Sequence, residues 1–197
     1  MTHVRKLGIY GGTFDPIHHA HLILAREALE QLGLERIVFV PAAVSPHKLD
    51  HLSAPAPLRL AMLKAAVAGD ARFMVDEIEL QRPPPSFTID TVEELRRRER
   101  DAELFYLVGA DILPRLHTWH RFADLAALVQ FVVLARDVAP LDDRYTTIRR
   151  LVDVSATEIR NRVATGRSIR YLVPPAVEEI IAREQLYKDP AKSLPKN

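Results

Sequence analysis

Short apolar runs alternate with helix-like segments along this 197-residue chain. The runs are rich in β-branched and aromatic residues and are apolar at consecutive positions, which is typical of strands covered by helices on both faces. We predict strands at residues 7–10, 36–40, 72–75, 104–108, 131–134 and 151–154. Regular alternation of strands and helices favours a parallel sheet with right-handed crossovers. The sequence therefore predicts a doubly wound (Rossmann-like) α/β fold with helices on both faces of the sheet.

Helix start and stop signals lie between the predicted strands. A first amphipathic helix ends at Gly33, and a second begins near Pro55 and stops at Gly69. A third covers about residues 90–100, and the last follows a Pro-Pro pair and ends near Tyr187. We expect residues 1–188 to form a single domain and residues 189–197 a flexible tail.

Composition limits the classes of partner. The formal net charge of +1 gives no field that would attract nucleic acid or an anionic membrane, so neither is expected. The chain has no cysteine, which rules out disulfides and thiolate chemistry and fits a reducing compartment. It also lacks the ~18 consecutive apolar residues of a membrane span. We therefore expect a cytoplasmic protein, and its oligomeric state, a homodimer included, stays open.

The loop after the first strand reads GGTFDPIHHAH, from Gly11 to His21. Ligands of doubly wound sheets bind beyond the carboxyl ends of the strands, where this loop lies. Its glycine spacing does not match the dinucleotide fingerprint G-x-G-x-x-G, and the chain contains no P-loop. A dinucleotide-dependent oxidoreductase and a Walker-type NTPase are therefore disfavoured.

His18 and His21 stand three residues apart at the start of the first helix. At this spacing two imidazoles share one helix face, where they can donate hydrogen bonds to phosphate oxygens. In protonated form they would also offset charge that develops during group transfer. Incidental surface histidines are the alternative at this point. A zinc site is disfavoured because two histidines are too few ligands.

The string GGTFDPIHHAH resembles the G-G-T-F-D-P-x-H-x-G-H signature of the nucleotidyltransferase superfamily. Ala20 stands where that signature has glycine, a difference of one methyl group. Three further stretches, at 85–95, 107–125 and 154–174, are similar to bacterial nicotinate-nucleotide adenylyltransferases. The resemblance covers about residues 7–187. It implies an enzyme that transfers the adenylyl group of ATP to nicotinate mononucleotide, releasing deamido-NAD and pyrophosphate.

The resemblance also implies residue roles. His18 and His21 would be the catalytic pair, and no resident metal site is implied. The ATP-binding residues would be Gly11, Gly12, Thr13, Phe14, His18, His21, Lys48, Ser155, Thr157 and Arg160. The nicotinate mononucleotide-binding residues would be Asp15, His47, Thr88, Asp111, Trp119 and His120. Mg²⁺ would enter with ATP, held mainly by phosphates and water.

Several of these residues also have structural interpretations. Ser155 and Glu158 fit a helix capping box, which is compatible with phosphate binding at the same helix N-terminus. Asp111 and Thr88 could cap helices. Trp119 is the only tryptophan and has polar neighbours, so its ring is expected to stack on the pyridine ring, with a partly buried structural role as the alternative.

Two other functions stay open at this stage. One is a sister adenylyltransferase whose acceptor is nicotinamide mononucleotide or phosphopantetheine. The other is a module that binds adenine nucleotides without turning them over; the retained histidines and Arg160 argue against it. An assay of pyrophosphate release with a panel of acceptors separates these functions.

Overall fold

The computed structural model describes residues 4–43, 53–83, 85–138 and 143–188. Within these ranges, six strands form a parallel sheet in the order β3-β2-β1-β4-β5-β6. The strands are β1 (Arg5–Gly12), β2 (Arg36–Pro41), β3 (Phe73–Val75), β4 (Ala102–Gly109), β5 (Gln130–Ala135) and β6 (Thr146–Arg149). The order proceeds outwards from β1 on one side and from β4 on the other. The topological switch point therefore lies between β1 and β4, which is where such sheets bind ligands.

Helices cover both faces of the sheet. In the described ranges they are α1 (His19–Gln31), α2 (Ala56–Val67), α3 (Thr88–Arg98), α4 (Leu113–Leu116), α5 (Phe122–Leu128), α6 (Ala156–Ala164) and α7 (Pro175–Arg183). Buried residues of α1, α2, α6 and α7 form one apolar cluster with the sheet, and those of α3, α4 and α5 form a second. This arrangement confirms the predicted doubly wound α/β fold. None of the described helices is both long and apolar enough to cross a bilayer.

Five of the six predicted strands lie within observed strands or within one residue of their ends. The sixth, predicted at 151–154, was wrong, because β6 is Thr146–Arg149 and pairs with β5 from Val132 to Ala135. Leu151, which suggested a strand, is 64% exposed. Three of the four residues of β6 are polar: Thr146, Thr147 and Arg149. A search for apolar runs therefore does not detect this strand, and polar residues are common in strands at a sheet edge.

Most of the predicted helix ends agree with the observed ones to within two residues. Gly33 has a φ of 63°, the left-handed conformation expected of the residue that ends a helix. The last helix ends earlier than predicted, at Arg183, and the chain then turns as far as Tyr187. Helices α4 and α5 had no prediction of their own. The expected tail, 189–197, lies outside the described residues.

Gly11 lies at the carboxyl end of β1, beside the switch point. A β-carbon on this residue would run into the hydroxyl oxygen of Tyr106 on neighbouring β4. The Tyr106 side chain is buried, so it has little room to move away. Close packing between β1 and β4 therefore requires glycine here, independently of any ligand.

We predict that Gly11→Ala lowers the free energy of unfolding by about 1–3 kcal/mol, because the added methyl group overpacks this contact. Gly69→Ala is the matched control, since nothing lies within 4 Å of a β-carbon there. Urea unfolding of both variants measures the effect.

A double-mutant cycle with Tyr106→Phe identifies the obstacle. If the hydroxyl oxygen causes the clash, then Gly11→Ala should cost less in the Tyr106→Phe background than in the wild type. Additive losses would show that another contact is responsible.

Candidate active site

His18 and His21 form a stacked pair at the start of α1. His18 is the N-cap residue, with extended backbone at φ −149° and ψ 171°. Its amide donates a hydrogen bond to Nδ1 of His21 over 3.3 Å, and the two ring centroids are 3.7 Å apart. Because Nδ1 of His21 accepts, we assign the ring proton of neutral His21 to Nε2. The predicted shared face of the two imidazoles is confirmed.

His18 is almost fully buried, with 2% of its surface exposed. Burial, helped by electrostatic interactions with Arg136 and His19, lowers the pKa of His18 from 6.5 to about 3. His18 is therefore neutral in the ligand-free protein, so the charge-offsetting role of a protonated imidazole does not apply to His18 in this state. A neutral imidazole can donate one hydrogen bond to a phosphate oxygen but brings no positive charge.

The N-terminus of α6 lies beside the loop that precedes the histidine pair. Ser155 caps the helix, as predicted, because its Oγ accepts from the amide of Glu158 over 3.1 Å. Arg160 donates through Nη1 to the main-chain carbonyl of Asp15 over 2.7 Å, and through Nη2 to Oγ1 of Thr157 over 3.2 Å. Two elements were expected to bind phosphate, the loop before the histidine pair and the N-terminal part of α6. They are in contact through Arg160.

The residues of the first loop have different surroundings. The Phe14 ring is buried in the core, 5.5 Å from that of Tyr10, and its backbone has a φ of 48°. Only its main chain is then available to ATP. The Thr13 carbonyl accepts from the guanidinium of Arg59, and Gly12 faces the ring of Phe14.

Asp15 was expected to bind the acceptor, but its carboxylate has partners within the protein. It is 7% exposed, and Oδ1 accepts from the hydroxyl of Tyr187 over 2.6 Å and from the amide of Ala54 over 3.2 Å. These bonds commit one carboxylate oxygen to the fold.

A group of aromatic and polar side chains surrounds Tyr106 on the other side of the switch point. Thr88, the first residue of α3, hydrogen-bonds the Tyr106 hydroxyl through its side chain. The Trp119 ring meets Tyr106 edge-on at 5.8 Å, and the His120 ring lies 4.4 Å from that of Phe87. The structure thus brings together three residues that were assigned to the acceptor.

One of the two expected roles of Trp119, the structural one, is seen in the structure, and stacking on a pyridine ring stays a prediction. Trp119 is half-buried against the apolar cluster, which agrees with the structural alternative. Its amide donates to the carbonyl of Leu116 over 3.2 Å, so this N–H group already has a partner. In this conformation the Trp119 amide is therefore not available to an acceptor, and the acceptor-binding role of Trp119 and His120 stays a prediction.

Sequence reasoning missed Arg136, the first residue after β5. Its guanidinium donates to the carbonyl of Val154, just before α6, over 2.7 Å. Its charge acts on both His18 and Tyr10, and the charge of Asp111 also acts on Tyr10. A polar residue directly after a buried strand was the available signal, because that position lies at the ligand-binding edge.

Two predicted residues, His47 and Lys48, lie outside the described residues. In the described part of the chain, no three His, Asp or Glu side chains come together as metal ligands.

Known proteins of one family are similar to this chain along most of its length. The sequence profile of the cytidylyltransferase-like family matches residues 9–162. A protein of Thermomicrobium roseum named "probable nicotinate-nucleotide adenylyltransferase" is 43% identical, over 96% of this chain and 95% of its own. A protein of Thermus thermophilus with the same name is 44% identical, over 93% of this chain and 100% of its own. The chain belongs to the nicotinate-nucleotide adenylyltransferase family.

Solved structures show that the fold extends across this family. Nicotinic acid mononucleotide adenylyltransferase of Plasmodium falciparum, complexed with NaAD, superposes with a TM-score of 0.79. The match covers 93% of this chain and 97% of the other, at 17% sequence identity. At this low identity the likeness establishes the fold alone.

The buried histidine of this family member makes stability depend on pH. Between pH 6.5 and 3, only the unfolded chain protonates His18. The free energy of unfolding should therefore fall as pH drops below 6.5, with a contribution from His18 of up to about 1.4 kcal/mol per pH unit. We predict a shallower decline for His18→Gln, measured by urea unfolding at a series of pH values.

His117→Gln is the control, because this histidine is exposed. It should keep the pH dependence of the wild type. Identical slopes for His18→Gln and the wild type would show that His18 titrates normally in the folded protein.

Proposed function

We propose that this protein transfers the adenylyl group of ATP to nicotinate mononucleotide and forms deamido-NAD and pyrophosphate, a step of NAD biosynthesis. Family membership supports this function, as does the NaAD complex of the Plasmodium falciparum relative. The observation that carries the proposal is the bond from Arg160 to the Asp15 carbonyl. It joins the N-terminus of α6 to the loop of the histidine pair at the switch point.

The reaction we propose is a direct displacement. An oxygen of the acceptor's 5′-phosphate attacks the α-phosphorus of ATP and forms a new P–O bond. The bond from that phosphorus to the α,β-bridging oxygen breaks, and pyrophosphate leaves with the electron pair. The acceptor phosphate is already an anion, so the protein need not supply a nucleophile, and its task is positioning and charge stabilisation.

The phosphates of ATP would lie between α1 and α6. Nε2–H of His21 and an N–H of His18 would donate to the α- and β-phosphates. Ser155 and Thr157 lie at the N-terminus of α6, where free amides and the helix dipole favour anions, and Arg160 lies about one turn further along the helix. Arg136 adds a fixed positive charge next to His18, which supports contact with the leaving pyrophosphate.

Nicotinate mononucleotide would lie on the β4 side of the switch point. Thr88 and Asp111 offer polar groups, and the half-buried ring of Trp119 could stack on the pyridine ring for about 1–3 kcal/mol. His120 would contact the carboxylate. Family resemblance adds Lys48 on the ATP side and His47 on the acceptor side. Mg²⁺ would arrive as part of the substrate MgATP.

An acceptor panel tests this function. The purified protein, with ATP and Mg²⁺, is offered nicotinate mononucleotide, nicotinamide mononucleotide or phosphopantetheine, and pyrophosphate release is measured. We expect the highest kcat/KM with nicotinate mononucleotide and deamido-NAD as its product. A higher value with another acceptor would identify a sister transferase. Release with none of them would favour a binding module.

A second experiment tests the histidine pair. We predict that His21→Ala lowers kcat by about 100-fold, the usual scale for losing a donor that stabilises transition-state charge. His117→Ala is the matched control, because this histidine is exposed and has no proposed substrate contact. Turnover of His21→Ala within a few-fold of the control would contradict the assigned role.

A further inference from the structure

The turn after α7 reaches the loop that carries the histidine pair. The Tyr187 hydroxyl donates to Oδ1 of Asp15 over 2.6 Å, and the two residues are 172 positions apart in sequence. The amide of Leu186 donates to the carbonyl of Ile181 over 3.0 Å, and Gln185 and Tyr187 adopt positive φ angles of 54° and 61°. The turn therefore has a defined conformation that directs Tyr187 towards Asp15.

Asp15 joins three distant parts of the chain. Its carboxylate accepts from Tyr187 and from the amide of Ala54, which precedes α2. Its main-chain carbonyl accepts from Arg160 of α6. Burial and the neighbouring Asp15 charge raise the pKa of Tyr187, so the phenol stays protonated and acts as the donor.

Arg59 holds the other side of the same loop. Its guanidinium, 2% exposed, donates to the carbonyls of Thr13, Ala43 and Ala54 over 2.7, 3.1 and 3.0 Å. Burial lowers the pKa of Arg59, and the negative charge of Asp15 opposes that shift. The two buried charges thus stabilise each other across the loop. The main chain from Thr13 to Asp15 is held at both ends.

We propose that Tyr187 is a positioning residue that acts through Asp15 to fix the first loop relative to Arg160 and His18. His18 follows Asp15 by three residues, so a shift of this loop would move the histidine pair away from α6. Tyr187 itself makes no substrate contact in this proposal. The inference rests on the proposed function, because such a shift slows turnover only if both elements act on one polyphosphate.

Tyr187→Phe tests the proposal because it removes one oxygen atom and keeps the ring that packs on the core. We expect kcat to fall roughly tenfold, since small displacements of catalytic groups have large effects on rate. The thermal midpoint should change by only a few degrees. Tyr171→Phe is the matched control, because that side chain is 81% exposed, and it should behave as wild type.

Two results would overturn the proposal. One is a folded Tyr187→Phe protein with kcat within two-fold of wild type. The other is a loss of activity that disappears at lower temperature, where the variant is fully folded, because that loss would reflect stability alone.

Hydrogen exchange provides a readout that does not depend on activity. The amide of Ala54 donates to Asp15, so its exchange and that of residues 13–15 should be faster in Tyr187→Phe than in Tyr171→Phe. Unchanged exchange would contradict the positioning role. If the wild type fails the acceptor panel while exchange responds as expected, the proposed function fails but the contact between Tyr187 and the loop stands.

A double-mutant cycle tests whether Tyr187 acts through Asp15. If it does, Tyr187→Phe should lower kcat no further in an Asp15→Ala background. Additive losses of kcat would show that Tyr187 acts independently of Asp15 and would contradict the proposal. Should Asp15→Ala fail to fold, the kinetics and exchange of Tyr187→Phe still decide the proposal.

Discussion

The pairing of β1 with two parallel neighbours determines where every proposed functional group lies. β1 is hydrogen-bonded to β2 from Leu7 to Gly12 and to β4 from Arg5 to Tyr10. Parallel strands end at the same edge, so the loops after β1, β4 and β5 converge there. The sheet order reverses between β1 and β4, and sheets of this kind bind ligands at such a reversal. Close packing of Gly11 on Tyr106 is part of the same contact between the strands.

The site combines neutral hydrogen-bond donors with a few fixed charges. His18 is held neutral by burial and by nearby Arg136, whereas Arg160 and the α6 N-terminus contribute positive potential without burying an unpaired cation. In the proposed reaction, this arrangement would let a chain with a net charge of +1 bind two polyanionic substrates. Attraction is concentrated at the carboxyl edge of the sheet, where amides and side chains share the task.

Local sequence signals were sufficient for much of the fold and part of the site. Apolar runs correctly predicted five strands. Gly33 correctly predicted the end of α1, and Ser155 the N-terminus of α6. The spacing of His18 and His21 correctly predicted that their rings share a face. The edge strand β6 was misplaced, because three of its four residues are polar and its position depends on pairing with β5.

The sequence by itself determined the alternation of strands and helices, the loops at the carboxyl edge and the chemical identity of the candidate groups, because these depend on residues close together in the chain. Only the tertiary structure decided that His18 is neutral, that the charge of Arg136 acts on it, and that Asp15 bonds to Tyr187 instead of being wholly available to a ligand. These outcomes depend on burial and on contacts between residues as far as 172 positions apart. Such contacts arise from the packing of α6 and α7 against the sheet, and no local pattern encodes their geometry.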